Sequence, residues 1–213
     1  MTKLNSLAVF IFILINNFFV FSNLQSQINN DILVKVGEQL ITTIDLQNDV
    51  ITNLVINKQE VNQNNINNTK DYSIKKLINK AIKRIEIKKY EITNYSKQDL
   101  KKYIKSVEKN LNTNSQGLKE TFKQSGINYE IFVEMHEVEL LWNTLIFDIY
   151  NQQTNINILE VDRELEKAKV DKDEKDLNEI RKKILNKKQQ EKLALFSRSH
   201  FSNLENTIDI NFQ

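Results

Sequence analysis

The first pattern along the chain is an apolar run from Leu7 to Phe21, broken by Asn16 and Asn17 and preceded by one charge, Lys3. A basic start, a short apolar core and a polar exit read as a secretory leader over 1–26, with cleavage after Ser22 or Ser26. An uncleaved anchor is the second reading. A spanning helix needs about 20 mostly apolar residues, and the two asparagines weaken it. A buried core helix is the third. Past the leader, ILVKV (32–36) reads as a strand, Gly37 as a turn, and Leu40-Ile41 as a returning strand. Thr43 is the expected N-cap of a helix with Leu46, Val50, Ile51, Leu54 and Val55 on one face. Residues 57–69 are polar, Asn-rich and aperiodic, and read as a loop.

From there the period is helical. Ile74, Leu77, Ile78, Ala81, Ile82 and Ile85 recur at three- and four-residue spacing, with lysines on the other face. Ser96 with Asp99 resembles a capping box ahead of Leu100, Tyr103, Ile104, Val107 and Leu111. Ser115 starts a short helix carrying Leu118 and Phe122, with Gly126 at its C′ position. Asn128 caps a long helix with Ile131, Met135, Val138, Trp142, Leu145 and Ile149 on one face, widened by Leu141 and Ile146. The charged segment from Leu159 onward is helical, with a break expected at Asp171–Asp173. The final TIDINF alternates, putting Ile208, Ile210 and Phe212 on one side of a half-buried strand.

A lone strand is not stable, and the N-terminal strands are its available partners. The expected fold class is therefore mainly α: a helical bundle with a small β-sheet formed by the N-terminal strand or hairpin and the C-terminal strand. There is no βαβ alternation and no repeat period.

Composition removes several chemistries. The chain has no cysteine, no proline and three glycines, which excludes disulfide frameworks, thiolate metal sites, cysteine nucleophiles and Gly-rich phosphate loops. The abundance of Asn, Ile and Lys reads as codon bias, so an isolated Asn or Lys carries little information. Net charge is +2, but residues 70–110 hold an excess of about eight basic groups and residues 130–179 of about nine acidic ones. A solvated lysine face is the plain reading of the first stretch. Docking to the acidic stretch and contact with anionic partners are the alternatives. Nucleic acid fits poorly, because the export leader removes the chain from that compartment and the stretch has one arginine, Arg84.

His136 and His200 are the two histidines. HEVEL at 136–140 misses the H-E-x-x-H zinc pattern at Leu140, and Val133 breaks the di-iron E-x-x-H spacing. Glu134, His136 and Glu139 therefore read as a polar helix face. The sequence calls for no metal, no cofactor and no catalytic residues; a non-enzyme is expected. Tyr129, Phe132, Met135 and Trp142 invite a groove reading, against the plainer one in which most of the stripe is core. Met and aromatics suit adaptable binding surfaces.

Three segments resemble one family. ILVKVGEQLITTIDLQNDV, LKETFKQSGINYEIFVEMHEVELLWNTLI and INILEVDRELEK, in that order, resemble the N-terminal module of SurA-type periplasmic chaperones over most of 31–168. The remainder, about 177–213, resembles that family's C-terminal helix and final strand, completing a single chaperone domain over 27–213. A parvulin isomerase domain takes about 100 residues, and the interval between Lys167 and Lys175 is too short for one.

The resemblance implies an ATP-independent holdase in the periplasm of a Gram-negative bacterium, without isomerase activity and with no stable membrane span after leader cleavage. Its implied partners are unfolded outer-membrane β-barrel precursors or aromatic-rich peptides, and the outer-membrane assembly machinery. Phe132, Met135 and Trp142 are the candidate client-binding residues. The competing expectation is a non-catalytic structural or assembly subunit docking to one folded envelope partner.

Overall fold

The computed structural model describes residues 30–168 and 174–213, of which Asp31–Gln213 form one compact unit. The predicted leader and the predicted break at Asp171–Asp173 lie outside the described residues. Strand β1 (Ile32–Val36) turns into β2 (Gln39–Thr42). Gly37 sits at φ +52° in that turn, and a Cβ there would also meet Ile85 Cδ1 at 3.2 Å, so glycine answers two constraints.

Helix α1 (Thr43–Ile56) is capped by Thr42, one residue before the expected Thr43. Thr42 Oγ1 accepts from the Asp45 N–H and the Asp45 carboxylate accepts from the Thr42 N–H, a reciprocal box that needs a carboxylate three residues on; from Thr43 that position is Leu46. Helix α2 (Gln63–Lys89) begins inside the segment expected to be a loop. Asn62 Oδ1 accepts from the Asn65 N–H at 2.9 Å, and the first turns are solvated, so the helix shows no apolar period before Ile74.

Helices α3 (Lys97–Asn110), α4 (Ser115–Gln124) and α5 (Tyr129–Tyr150) follow. Ser96 and Asn128 cap α3 and α5 as expected; α4 is capped by Asn114, one residue before Ser115. Gly126, at φ +71°, follows the end of α4 in the left-handed conformation that its C′ position requires. Helix α6 (Ile158–Ala168) and helix α7 (Glu174–Glu205) lead to β3 (Ile210–Phe212).

The protein is mainly α with a small antiparallel sheet in the order β2-β1-β3. Val34 pairs with Phe212 and Val36 with Ile210, so the last strand meets the first, as its alternation required. The strand is shorter than expected. Ile208 lies in the turn before it, and Phe212 is 68% exposed rather than half-buried, since the packing beneath β3 stops at Ile208 and Ile210.

Three apolar clusters hold the unit. Val34, Val36 and Ile41 of the sheet pack on Leu77, Ala81 and Ile82 of α2. Ile87 of α2 joins Val138, Trp142, Leu145 and Ile146 of α5, with Phe201 and Leu204 of α7 against them. Val107, Leu118, Phe122, Ile127 and Phe132 form the third cluster, below α1. Helices α2 and α5 each contribute to two clusters, so they are the spine of the fold.

The lysine-rich face of α2 is not purely solvated. Lys80 and Lys83 both reach Glu139 of α5, at 2.5 and 2.7 Å, and Arg84 reaches Glu134 at 3.1 Å. Part of the basic stretch thus docks on part of the acidic one. Burial by itself would raise the Glu139 carboxyl, but the two lysines reverse this and hold it below its ordinary range.

Candidate functional site: an open groove between α5 and α7

Helix α5 is apolar around most of its circumference, which marks a helix surrounded by partners or one that binds something. Val138, Trp142 and Leu145 form one stripe, at i, i+4 and i+7, and it is buried. Leu140, Thr144 and Phe147 form a second stripe at the same spacing, two residues out of phase and so on the far side of the helix. That second stripe faces a groove of about 830 Å³ between α5 and α7.

The groove floor is Leu140, Ile146 and Phe147 of α5 with Leu193 and Ala194 of α7. Its rim is polar: Asn143, Gln190 and Arg198, with Ser96 and Asp99 at the start of α3. Phe147 is 45% exposed, an unusual exposure for an aromatic residue on a helix that otherwise feeds the core. Asp99 is occupied by Lys102 at 2.8 Å, and its hydrogen bonds to Lys102 and Ser96 lower its pKa. The Arg198 guanidinium has no acidic partner among the described residues and is the cation available at the rim. An apolar floor with a polar rim is the arrangement common to sites that take apolar side chains.

The second side of the groove is fixed by polar contacts beneath it. Trp142 Nε1–H donates to Ser197 Oγ at 2.8 Å. Tyr150 Oη lies 2.8 Å from His200 Nδ1, and His200 Nε2 lies 3.1 Å from the buried Glu86 carboxylate. Burial, with the charges of Tyr90 and Glu86, raises the Tyr150 phenol above its ordinary value. These bonds set the spacing of α7 from α5 and α2, and with it the width of the groove.

The three sequence candidates fall in different places. Trp142 is 2% exposed and belongs to the α5–α7 core. Phe132 is 4% exposed, with Phe122 edge-on at 5.0 Å and Tyr103 at 5.7 Å. Both side chains are buried, with their surface spent on packing. Met135 is half-buried against the sheet and lines a separate cleft beside the first half of α5. The groove residues Leu140 and Phe147 were missed, although the second stripe was present in the sequence. Glu134, His136 and Glu139 also separate: Glu134 pairs with Arg84, Glu139 with the lysines, and His136 stacks on Tyr103.

No model of a known protein family matches the chain, and no curated protein matches it. Among the described residues no helix is long and apolar enough to cross a membrane, and no group of acidic, histidine or cysteine side chains is placed to hold a metal ion.

Proposed function

We propose that the chain is an ATP-independent holdase acting in the periplasm, which keeps unfolded outer-membrane β-barrel precursors soluble and hands them to the outer-membrane assembly machinery without a catalytic step. The observation that supports this reading best is the solvent-open apolar groove between α5 and α7, with Phe147 on its floor. The sequence resemblance to SurA-type chaperones points the same way. Unfolded barrel strands alternate apolar and polar residues and are rich in aromatics, so each presents a row of side chains that a shallow apolar floor accepts. Binding the unfolded chain lowers its free concentration by mass action, which needs neither nucleotide nor cofactor. Ordering a client costs roughly 2–5 kcal/mol, which puts the expected affinity in the micromolar range.

The test is light scattering of an unfolded barrel protein diluted out of denaturant with and without the full chain. Suppression is expected at several-fold molar excess. It is expected to fall at least fivefold in a Leu140→Ser/Phe147→Ser variant that keeps the parent's helical spectrum and melting temperature. Raising salt should change it little, because the contact is mainly apolar. Failure of the intact chain to slow aggregation, together with stoichiometric binding to one folded envelope protein, would replace the holdase by the assembly-subunit reading.

A further inference from the structure

Helix α3 has two unlike faces. Val107 is buried in the third apolar cluster, with Tyr103 and Ile104 packed against it. On the other side Lys97, Lys101, Lys102, Lys105 and Lys109 are all exposed. At 3.6 residues per turn these lysines fall within an arc of about 140°, turned away from the buried stripe. At 1.5 Å per residue the row from Lys97 to Lys109 is about 18 Å long. The arc holds no apolar or aromatic residue; Gln98 and Glu108 are its other members. Glu108 stands at the margin and is half-buried. Burial, and then the Glu108 charge, raise the Tyr129 phenol, so this carboxylate lies toward α5.

The row is unfavourable for the helix that carries it. Lys97, Lys101, Lys105 and Lys109 follow one another at i, i+4 spacing, and like charges at that spacing destabilise a helix. Lys97 is also the first residue of α3, at the end where the helix dipole disfavours a cation. Asp99, outside the arc, takes Lys102 at 2.8 Å. The other four lysines have no acidic partner among the described residues. Helix α2 differs: there Lys76, Lys80, Lys83 and Arg84 all meet carboxylates of α1 or α5. An ordinary solvated face mixes signs, as α7 does with Lys187 and Glu191.

We propose that this lysine face of α3 docks on a membrane surface that carries anionic phosphate headgroups. A straight row on the outside of a helix matches a planar array of charges. Lysine clusters of this size on one helix face are the common electrostatic contact with anionic lipid, each lysine adding about fivefold in affinity. Protein interfaces, by contrast, are depleted in lysine and anchored by buried aromatic side chains, and the arc has none. Single-stranded nucleic acid would need stacking aromatics, which are also missing from the arc. The contact is peripheral, because no apolar side chain in the arc is available to enter the hydrocarbon. The proposal stands independently of the holdase reading, since the groove floor between α5 and α7 takes no part in it.

The test is co-sedimentation of the full chain with vesicles of phosphatidylcholine alone and of phosphatidylcholine mixed with phosphatidylglycerol. The apolar run 7–21 is present in every sample, so the readout is the ratio of the two affinities. At low salt the anionic vesicles should bind at least about a hundredfold tighter, and the ratio should fall toward one as salt shortens the screening length. Lys97→Gln/Lys101→Gln/Lys105→Gln/Lys109→Gln should lower the ratio at least about thirtyfold. If that variant does not fold, Lys101→Gln/Lys105→Gln should lower it at least about fivefold. A control, Lys75→Gln/Lys88→Gln/Lys182→Gln/Lys183→Gln, removes the same charge from exposed positions on α2 and α7 and should change it less than about threefold. A ratio near one in the parent chain, a ratio indifferent to salt, or an equal loss in the control would each overturn the proposal. So would tighter binding to soluble polyglutamate than to the anionic vesicles at equal charge, which would assign the face to an acidic protein.

Discussion

The two halves of α7 are one continuous helix held by different forces. Its C-terminal half lies against α5 and α2, where Phe201 and Leu204 pack beside Trp142, and His200 bridges Tyr150 and Glu86. Its N-terminal half lies against α6. There Val161 is the one fully buried side chain among those described, and Leu177, Ile180 and Ile184 are half-buried. Surface ion pairs run along that seam: Arg181 with Asp162, and Lys188 with both Glu160 and Glu164. Exposed pairs contribute little to stability, whereas a buried aromatic side chain contributes several kcal/mol. The clamped half is therefore part of the cooperative unit, and the α6–α7 arm is expected to open locally at lower free energy. The groove lies beside the clamped half, so its width is set by the stronger of the two contacts.

The largest expected effect is at the clamp. Trp142→Ala should cost about 3–5 kcal/mol in urea denaturation, because it empties the centre of the α5–α7 cluster and leaves Ser197 without its donor. A loss below about 1 kcal/mol would show that α7 is held from elsewhere. Removing residues 206–213 should cost about 2–4 kcal/mol. It strips Ile208 and Ile210 from the sheet cluster and leaves the β1 edge unpaired, including the bonds from Gly37 N–H to the Asp209 carbonyl and from Gln213 N–H to the Leu33 carbonyl. An unchanged melting temperature would mean that the last strand does not close the fold.

A smaller effect, about 1–3 kcal/mol, is expected for Glu86→Ala, which takes the acceptor from His200 while the ring stays in place. Amide exchange should then quicken around His200 and leave α3 and α4 unchanged; uniform quickening would count against a local clamp.

The arm should show the least. Glu164→Gln is expected to leave the melting temperature unmoved while amide exchange in α6 quickens. The hydrogen bond from Lys188 holds the Glu164 carboxyl below its ordinary 4.5, so its contribution is present above that pH and is lost as pH falls through the lowered value. Protection of the α6 amides in the parent chain, taken relative to the intrinsic exchange rate at each pH, should therefore fall in acid, and that acid response should be absent in the variant. Equal acid responses in the two would assign α6 to a different contact.

Local order was legible because it is written in spacing and caps. The three-four stripes gave α1, the second half of α2, α3 and α5. Ser96 and Asn128 gave two helix starts, and the lack of any other strand sent the last residues back to β1. Even local reading failed where two adjacent residues suit one role. Thr42 and Thr43 both can cap, and the choice rests on which of them meets Asp45 three residues on. It failed again at Asn62–Tyr72, where a solvated helix start carries no apolar period to read.

Tertiary structure decided the rest, because it sets which face of a helix meets which neighbour. Phe132 and Trp142 looked like groove residues and became core, since α5 is packed by α2, α3, α4 and α7 along different parts of its length. Leu140 and Phe147 belong to an equally regular stripe and stay open, because α7 approaches α5 without covering them. The lysines of α2 divide in the same way. Lys80 and Lys83 meet Glu139 because α2 crosses α5 there, more than fifty residues along the chain, while Lys75 and Lys88 on the same helix carry no ion pair among the described residues. A helical period fixes the side of the helix on which a residue sits. Whether that side is covered depends on the angle and distance at which distant segments arrive, and these follow from the packing of the whole unit.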